Sequence, residues 1–282
     1  EEEIATWIER TTKNVGTALS FVVEEKIDGI SIVLYYEHGL LSRAVTRGNG
    51  SVGNDVTANI RTIGSVPLSI PDTSNLAVRG EIYLPISHFD EINSKLDVPY
   101  ANPRNLAAGA VRRIKSAEVA AIPLRMFAYE IFFLDDTKVS ANITDHLGAL
   151  VYLEKLGFRR NHRIGFFSET VKNKTGKSDV VTSLEDLAIG TFETLPGYIH
   201  TATAQRRSLD YEIDGLVVKV DELEVRERLG FTGHHPRWEI AYKFESPEGV
   251  STIQTVDVQV GRTGRITPVA RIEPVSVGGT TI

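Results

Sequence analysis

Residues 22–36, VVEEKIDGISIVLYY, set Glu24, Glu25 and Lys26 between two apolar runs that alternate as β-strands do. One reading makes Asp28-Gly29 a hairpin turn with solvated charges beside it. Strand parity gives the other reading. Side chains alternate faces, so Glu24 and Lys26 share a face with Val22, and Arg79, Glu81 and Tyr83 share one further on. A lysine and carboxylates then converge. In EIDGLVVKV (212–220) apolar residues fill both parities, as in a strand buried on both faces, yet Lys219 sits near its end. Such a lysine needs a partner, and an anionic ligand would be one. The pattern returns in IAYKFE, where Lys243 alternates with Tyr242 and Phe244.

Composition bounds the function. The 282 residues suffice for about two domains with ample core, and 41% hydrophobic with 24% charged residues is ordinary for a globular protein in water. No apolar run nears the roughly 18 residues of a membrane span, and the N-terminus lacks the order of a secretory signal, so a cytoplasmic protein without a membrane partner is expected. Without cysteine there is neither a disulfide nor a thiolate metal site, and the seven histidines lack metal-binding spacing. His234-His235 reads as surface loop. The sequons at Asn49, Asn142 and Asn173 carry no weight without secretion. The 31 basic against 37 acidic residues argue against a surface devoted to nucleic acid. Basic residues nevertheless cluster at 104–115, 159–163, 205–207 and 261–265, as if to line a groove. The chain starts at Glu1 and stops within a strand-like pattern, so a fragment is expected.

The element pattern is mixed. Ile4, Trp7 and Ile8 predict a helix over residues 1–13, followed by strands over 19–36 and 40–47. LAVRGEIYLP predicts a strand. Helices are predicted over SHFDEINSKL, with Ser87 as N-cap, and over RNLAAGAVRRI. After the strand LRMFAYEIFF, Thr144 is the expected cap of a helix that stops at Gly157. A helix over ELEVRERLG and a strand over EIAYKFE follow, and from about residue 248 short strands with Gly and Pro suggest the start of a small β-barrel. KNKTGKSD (172–179) reads as a mobile loop. Gly48, Gly50 and Gly53 have G-x-G-x-x-G spacing with Asp72 about 20 residues on, the spacing of a dinucleotide fingerprint. The strand before them is the second arm of a hairpin, however, and only a short helix fits before Pro67. A tight loop presenting Arg47 is the better reading.

EEKIDG, TRGNGSVGND, VRGEIYLP, ANPRNLAAGAVRR, EIDGLVVKV, WEIAYKF and QVGRTGRITPVA, in this order, resemble the motif set of bacterial NAD-dependent DNA ligases over nearly the whole chain. The resemblance implies an α+β nucleotidyltransferase domain over 1–247, ATP-grasp-like and of the DNA ligase type, with antiparallel sheets and flanking helices. Residues 248–282 would be the first strands of an OB-fold barrel. The family's N-terminal helical domain, cysteine zinc module, helix-hairpin-helix and BRCT domains are not in the sequence, so zinc is expected only outside it.

The resemblance further implies a monomer that takes AMP from NAD with magnesium or manganese and passes it to nicked duplex DNA. Lys26 is the expected nucleophile, attacking the α-phosphorus and expelling nicotinamide mononucleotide. A lysine with its ordinary pKa near 10.4 is protonated, so cations around it are expected to favour the free amine. Lys219, Lys243 and Arg47 are the candidates, and they would also neutralise phosphate charge. Glu24 and Glu81 match nucleoside contacts, Glu81 at the ribose. Asp28 and Asp214 match aspartates needed for activity, Arg104 and Arg112 arginines around nucleotide and nick, and Tyr129 the aromatic that stacks on adenine. No protein-held metal site is expected. The chain departs from the family at Asn49, where aspartate is usual, and at Glu245, where proline is usual. An ATP-dependent ligase or capping-type enzyme, or a non-catalytic nucleic-acid clamp, is the alternative.

Overall fold

The computed structural model describes residues 2–48, 52–135, 142–161, 163–170, 184, 186–233, 235–245, 248–277 and 280–281. Asn49, the whole of the loop 172–179 and His234 lie outside them. Two compact units divide after Phe244.

The first unit runs α1 (Glu2–Val15), β1 (Ser20–Ile27), β2 (Ile30–Glu37), β3 (Leu40–Thr46), α2 (Thr57–Ile60), β4 (Leu76–Tyr83), α3 (Ile86–Asn93), α4 (Pro103–Val111), α5 (Ser116–Ala120) and β5 (Arg125–Phe133). It continues with α6 (His146–Lys155), β6 (Ile164–Ser168), β7 (Leu187–Thr191), α7 (Leu195–Gln205), β8 (Ile213–Val220), α8 (Leu223–Leu229), β9 (Phe231–Thr232), β10 (His235–Pro236) and β11 (Glu239–Lys243). The strands form a five-stranded sheet, β11-β8-β1-β6-β7, and a four-stranded sheet, β3-β2-β4-β5. Every pairing in them is antiparallel except β6 with β7.

β2 and β3 are a hairpin. Its two-residue loop, His38 and Gly39, has φ of 50° and 78°, the left-handed pair that a type I′ turn needs. β1 and β2 do not pair at all, which overturns the hairpin reading of Asp28-Gly29. The chain there crosses from one sheet to the other. Glycine is required by proximity, since a Cβ at Gly29 would lie 2.3 Å from the Ile82 carbonyl oxygen on β4 and 2.9 Å from Glu81 Cγ.

Parity along β1 holds as read. Val22 joins a core formed with Ile32, Leu34 and Tyr36 of β2, Leu106 and Ala110 of α4 and Leu147 and Leu150 of α6. Phe21 and Val23, on the other face, join a second core with Ile4, Trp7 and Ile8 of α1, Leu195 and Ile199 of α7 and Leu216 and Val218 of β8. β1 is thus a partition between two apolar masses, and the burial of both is the main stabilisation available to it.

Two caps differ from expectation. Pro85, not Ser87, takes the N-cap position of α3, because the Ser87 hydroxyl and N–H are both bonded to Asp210, at 3.0 and 2.8 Å. Asp145, not Thr144, caps α6 by accepting from Gly148 N at 2.8 Å. Asn102 caps α4 at Asn105 N, with Pro103 as the first helical residue.

The second unit pairs β12 (Ile253–Val260) with β13 (Ile266–Ile272) and β14 (Ser276–Val277) with β15 (Thr280–Thr281). Ile253, Val256, Val258, Val260 and Ile266 are exposed on it. Glu245, also exposed, is its first residue. The basic segment 261–265 belongs to this unit.

Candidate active site

The site grows from the pairing of β1 with β8. Val22 stands opposite Lys219, Glu24 opposite Val217 and Lys26 opposite Gly215, so Glu24, Lys26 and Lys219 project from one face. On the next strand Lys243 stands opposite Gly215. Lys26 and Lys243 therefore flank a glycine whose added Cβ would lie 2.0 Å from the Tyr242 carbonyl oxygen.

Beyond Lys26 the ladder slips by one residue, since Ile27 pairs with Ile213 and Asp214 is left over. This bulge re-aims Asp214. Both its carboxylate oxygens accept from Lys26 Nζ at 2.8 Å. Asp28, at the crossing, is ion-paired with Arg104 from α4.

The four-stranded sheet supplies the opposite side through a second bulge. Arg79 pairs with Glu130 and Gly80 with Ala128, leaving Tyr129 as the extra residue of β5. Its hydroxyl lies 3.2 Å from Ser31 Oγ, and Lys219 Nζ lies 5.1 Å from its ring centroid. Glu81 pairs in register with Ser31. Burial pushes its carboxyl up to about 7, although Arg104 and Lys26 pull it down, and Asp28 and Asp214 add to the rise.

Glu24 is the most enclosed member. It is buried, and its Oε2 accepts from Lys219 Nζ at 2.6 Å and from His146 Nε2 at 2.7 Å. Burial works against its charge, but the Lys219 cation and these hydrogen bonds outweigh it and hold the carboxyl well below the usual range. His146, 1% exposed, is lowered to about 4, chiefly by burial, and is a neutral imidazole at neutral pH. A carboxylate only accepts, so Nε2 carries the hydrogen.

The structure thus brings together Glu24, Lys26, Asp28, Glu81, Arg104, Tyr129, Asp214 and Lys219. Arg47, Arg112 and Lys243 are exposed and form no ion pair among the described residues. Among the described residues Arg47 is tied to the site only through its backbone N–H, which donates to Ser31 O at 3.3 Å. The cations expected around Lys26 are replaced by a carboxylate, Asp214. Lys219 serves Glu24 instead, so its partner is a residue rather than an anionic ligand. Of the cluster 159–163, Arg160 turns inward to Glu154 at 2.9 Å. His146 and Ser31 were not anticipated. A lone histidine in an apolar helix reads as core, and only the acidic cap before it marks the spot.

Among the described residues no three His, Cys, Asp or Glu side chains form a group able to hold a metal ion. Asp28 and Asp214 are already ion-paired. A cavity of about 610 Å³ between α1 and α7, lined by Ile4, Ile8, Phe192, Leu195 and Ile199, shares no residue with the cluster.

Residues 1–247 match the family described as NAD-dependent DNA ligase adenylation domain, and residues 250–282 the NAD-dependent DNA ligase OB-fold domain. The protein named DNA ligase from Borrelia turicatae (strain 91E135) is 45% identical over 281 residues, covering 99% of this chain and 38% of that protein. The DNA ligase of Borreliella burgdorferi (strain ATCC 35210 / DSM 4680 / CIP 102532 / B31) is 44% identical over 276 residues, 98% of this chain and 38% of its own length. The chain spans well under half of these relatives.

Proposed function

Because this chain belongs to the family of NAD-dependent DNA ligase adenylation domains, we propose that Lys26 attacks the α-phosphorus of NAD. A P–N bond forms, the bond from that phosphorus to the bridging oxygen breaks, and nicotinamide mononucleotide leaves with its phosphate. In the protein that contains this chain, the AMP then passes to the 5′-phosphate of a DNA nick and is displaced by the 3′-hydroxyl. The matched descriptions are of the NAD-dependent branch, so neither the ATP-dependent alternative nor a non-catalytic clamp is favoured.

The observation that carries the proposal is Lys26 held by both oxygens of Asp214, with the Arg104–Asp28 pair and Glu81 beside it. The pair aims Nζ, and an ammonium has no lone pair to offer, so one proton must leave before attack. Asp214 is the group in contact with that proton. Glu81, with its carboxyl near 7 and within electrostatic reach of Lys26, is a better-matched final acceptor. Tyr129 offers a ring to the base, and Lys219, which holds Glu24, lies over that ring. Arg104 would stabilise phosphate charge once Asp28 is displaced, and Lys219, an ammonium with three donors, could add to this while still bonded to Glu24, with Lys243, Arg47 and Arg112 reaching in from exposed positions. The described residues do not form a ready cation cage, so a magnesium or manganese ion would depend on the substrate phosphates, and no step is assigned to it.

The test is intact mass of the chain after long incubation with excess NAD, followed by peptide mapping. Adenylate is expected on Lys26 of the wild type and nowhere on Lys26→Arg, because a guanidinium is not deprotonated in proteins. An adduct mapped to Lys219 or Lys243, or formed on Lys26→Arg, would overturn the assignment.

A further inference from the structure

His146 is the buried polar group nearest to the proposed nucleotide site that the chemistry above leaves without a task. It is the first residue of α6, seated by two bonds to Asp221. The His146 N–H donates to the Asp221 carbonyl at 2.8 Å, and the Leu147 N–H donates to Asp221 Oδ1 at 3.0 Å. The helix start is therefore fixed to the end of β8, the strand that carries Lys219. From this seat Nε2 reaches Glu24 Oε2 at 2.7 Å, and Lys219 Nζ reaches the same oxygen at 2.6 Å.

Two donors on one oxygen leave the other with a different task. Oε1 of Glu24 has no hydrogen bond among the described residues. It is not walled off either, in contrast to Oε1 of the neighbouring Glu25, which is buried without a partner. A carboxylate with one oxygen clamped from two directions cannot spin about its terminal bond without breaking two bonds, one of them charge-assisted. Its free oxygen then has a fixed direction. The same Lys219 Nζ lies over the Tyr129 ring, 5.1 Å from its centroid, so the amine that clamps the carboxylate also meets the ring proposed to stack on a base.

We infer that His146 is a positioning residue for base recognition: with Lys219 it locks Glu24 so that Oε1 accepts from an amino group on the base edge, which selects a 6-aminopurine over a 6-oxopurine. The inference rests on the reading of this cluster as a nucleotide site. The physical basis of the choice is that a fixed carboxylate facing a carbonyl oxygen has lost its water and gained no donor. A carboxylate free to rotate could turn away and would discriminate less. The neutral Nε2–H of the histidine adds direction without a second cation, so the negative charge of Glu24 is left for the ligand and Lys219 to share.

The test uses the chain as it stands, with AMP and IMP as probes in titration calorimetry. The wild type is expected to prefer AMP on the order of tenfold to a hundredfold, the value of one hydrogen bond to a charged group. His146→Gln, which keeps an N–H donor, should retain that ratio. His146→Leu, similar in bulk but without a donor, should bring it to within about threefold, while circular dichroism confirms the fold. General loosening would weaken both nucleotides alike, so the ratio separates positioning from support. A folded His146→Leu that keeps the full preference would overturn the role of His146. A wild type that binds both nucleotides equally would instead overturn the reading of Glu24 as a base contact. A second measurement needs no variant: ¹⁵N shifts of the wild-type imidazole at pH 7 should show Nε2 protonated and Nδ1 bare. The opposite tautomer could not donate to Glu24 and would overturn the inference by itself.

Discussion

Glu81 stores a measurable quantity of instability. Its carboxyl rises from an ordinary 4.5 to about 7, first through burial and then through Asp28 and Asp214, against the pull of Arg104 and Lys26. The folded state therefore binds a proton that the unfolded chain releases near pH 4.5. Where the folded state binds more protons, stability falls as pH rises. The contribution is fully present below about 4.5, is lost through the window up to about 7, and is absent above it. At 1.36 kcal/mol per pH unit, the ionised form costs the fold about 3 kcal/mol at pH 8. Glu81→Gln keeps the shape and removes the titration. Urea unfolding of wild type and variant from pH 4.5 to 8, read by Trp7 and Trp238 fluorescence, should show the variant gaining on the wild type by about 3 kcal/mol across that range. Other shifted groups, such as Glu25, Glu212 and Glu239, titrate in both proteins and cancel. A difference that stays constant within about 0.5 kcal/mol would refute the buried, proton-holding Glu81 and with it the proton acceptor proposed for Lys26.

Lys219→Ala and Lys243→Ala should keep the nucleophile yet slow adenylation, each by a barrier increase of about 2 to 4 kcal/mol as is common for one electrostatic contact, measured by single-turnover transfer from NAD; wild-type rates in both would remove the phosphate role. Gly29→Ala forces a methyl group to 2.3 Å from the Ile82 carbonyl oxygen, which is backbone and cannot turn aside, so about 1 to 3 kcal/mol of stability should be lost in denaturant unfolding. Gly197→Ala, exposed in α7 with nothing within 4 Å, should gain about 0.5 to 1 kcal/mol as the control.

What could be read ahead was periodic or local. Parity put Glu24 and Lys26 on one face because a two-residue repeat survives whatever the strand pairs with, while the place of Lys219 opposite Val22 came only with the pairing of β1 and β8. The His38-Gly39 hairpin is a local matter of two left-handed residues, and it forms. The partner of each strand is not local, so the crossing at Asp28-Gly29 passed for a turn. Both bulges were hidden for the same reason. Whether Asp214 or Tyr129 is the extra residue depends on the strand across from it, and each bulge sends a site side chain where plain alternation would not. The α6 cap moved by one residue because Asp145 and Thr144 are both good capping residues and tertiary seating chose between them. His146 escaped because the sequence shows its apolar helix but not the carboxylate it meets.

The ion pairs of the cluster share a pattern that decides how its variants must be read. Lys26 is matched by Asp214, Arg104 by Asp28 and Lys219 by Glu24, so each cation held inside the cluster already has an internal anion. These carboxylates keep the cations in place at low desolvation cost, and an entering phosphate exchanges with Asp214 and Asp28, and shares Lys219 with Glu24, rather than filling an empty positive pocket. The exchange weakens ground-state binding of the phosphates and leaves more of the electrostatic gain for the step in which charge shifts. It also means that deleting one cation strands its partner. With Lys219 gone, Glu24 is left 3% exposed with only the neutral His146 as donor, a situation that destabilises proteins by about 3 to 5 kcal/mol. Lys219→Ala thus mixes a folding defect with a catalytic one, whereas Lys219→Ala combined with Glu24→Gln removes the stranded charge. If the double variant regains stability but adenylates more slowly than Glu24→Gln alone, the lysine acts on the phosphate. If the two adenylate at the same rate, its part is to hold Glu24.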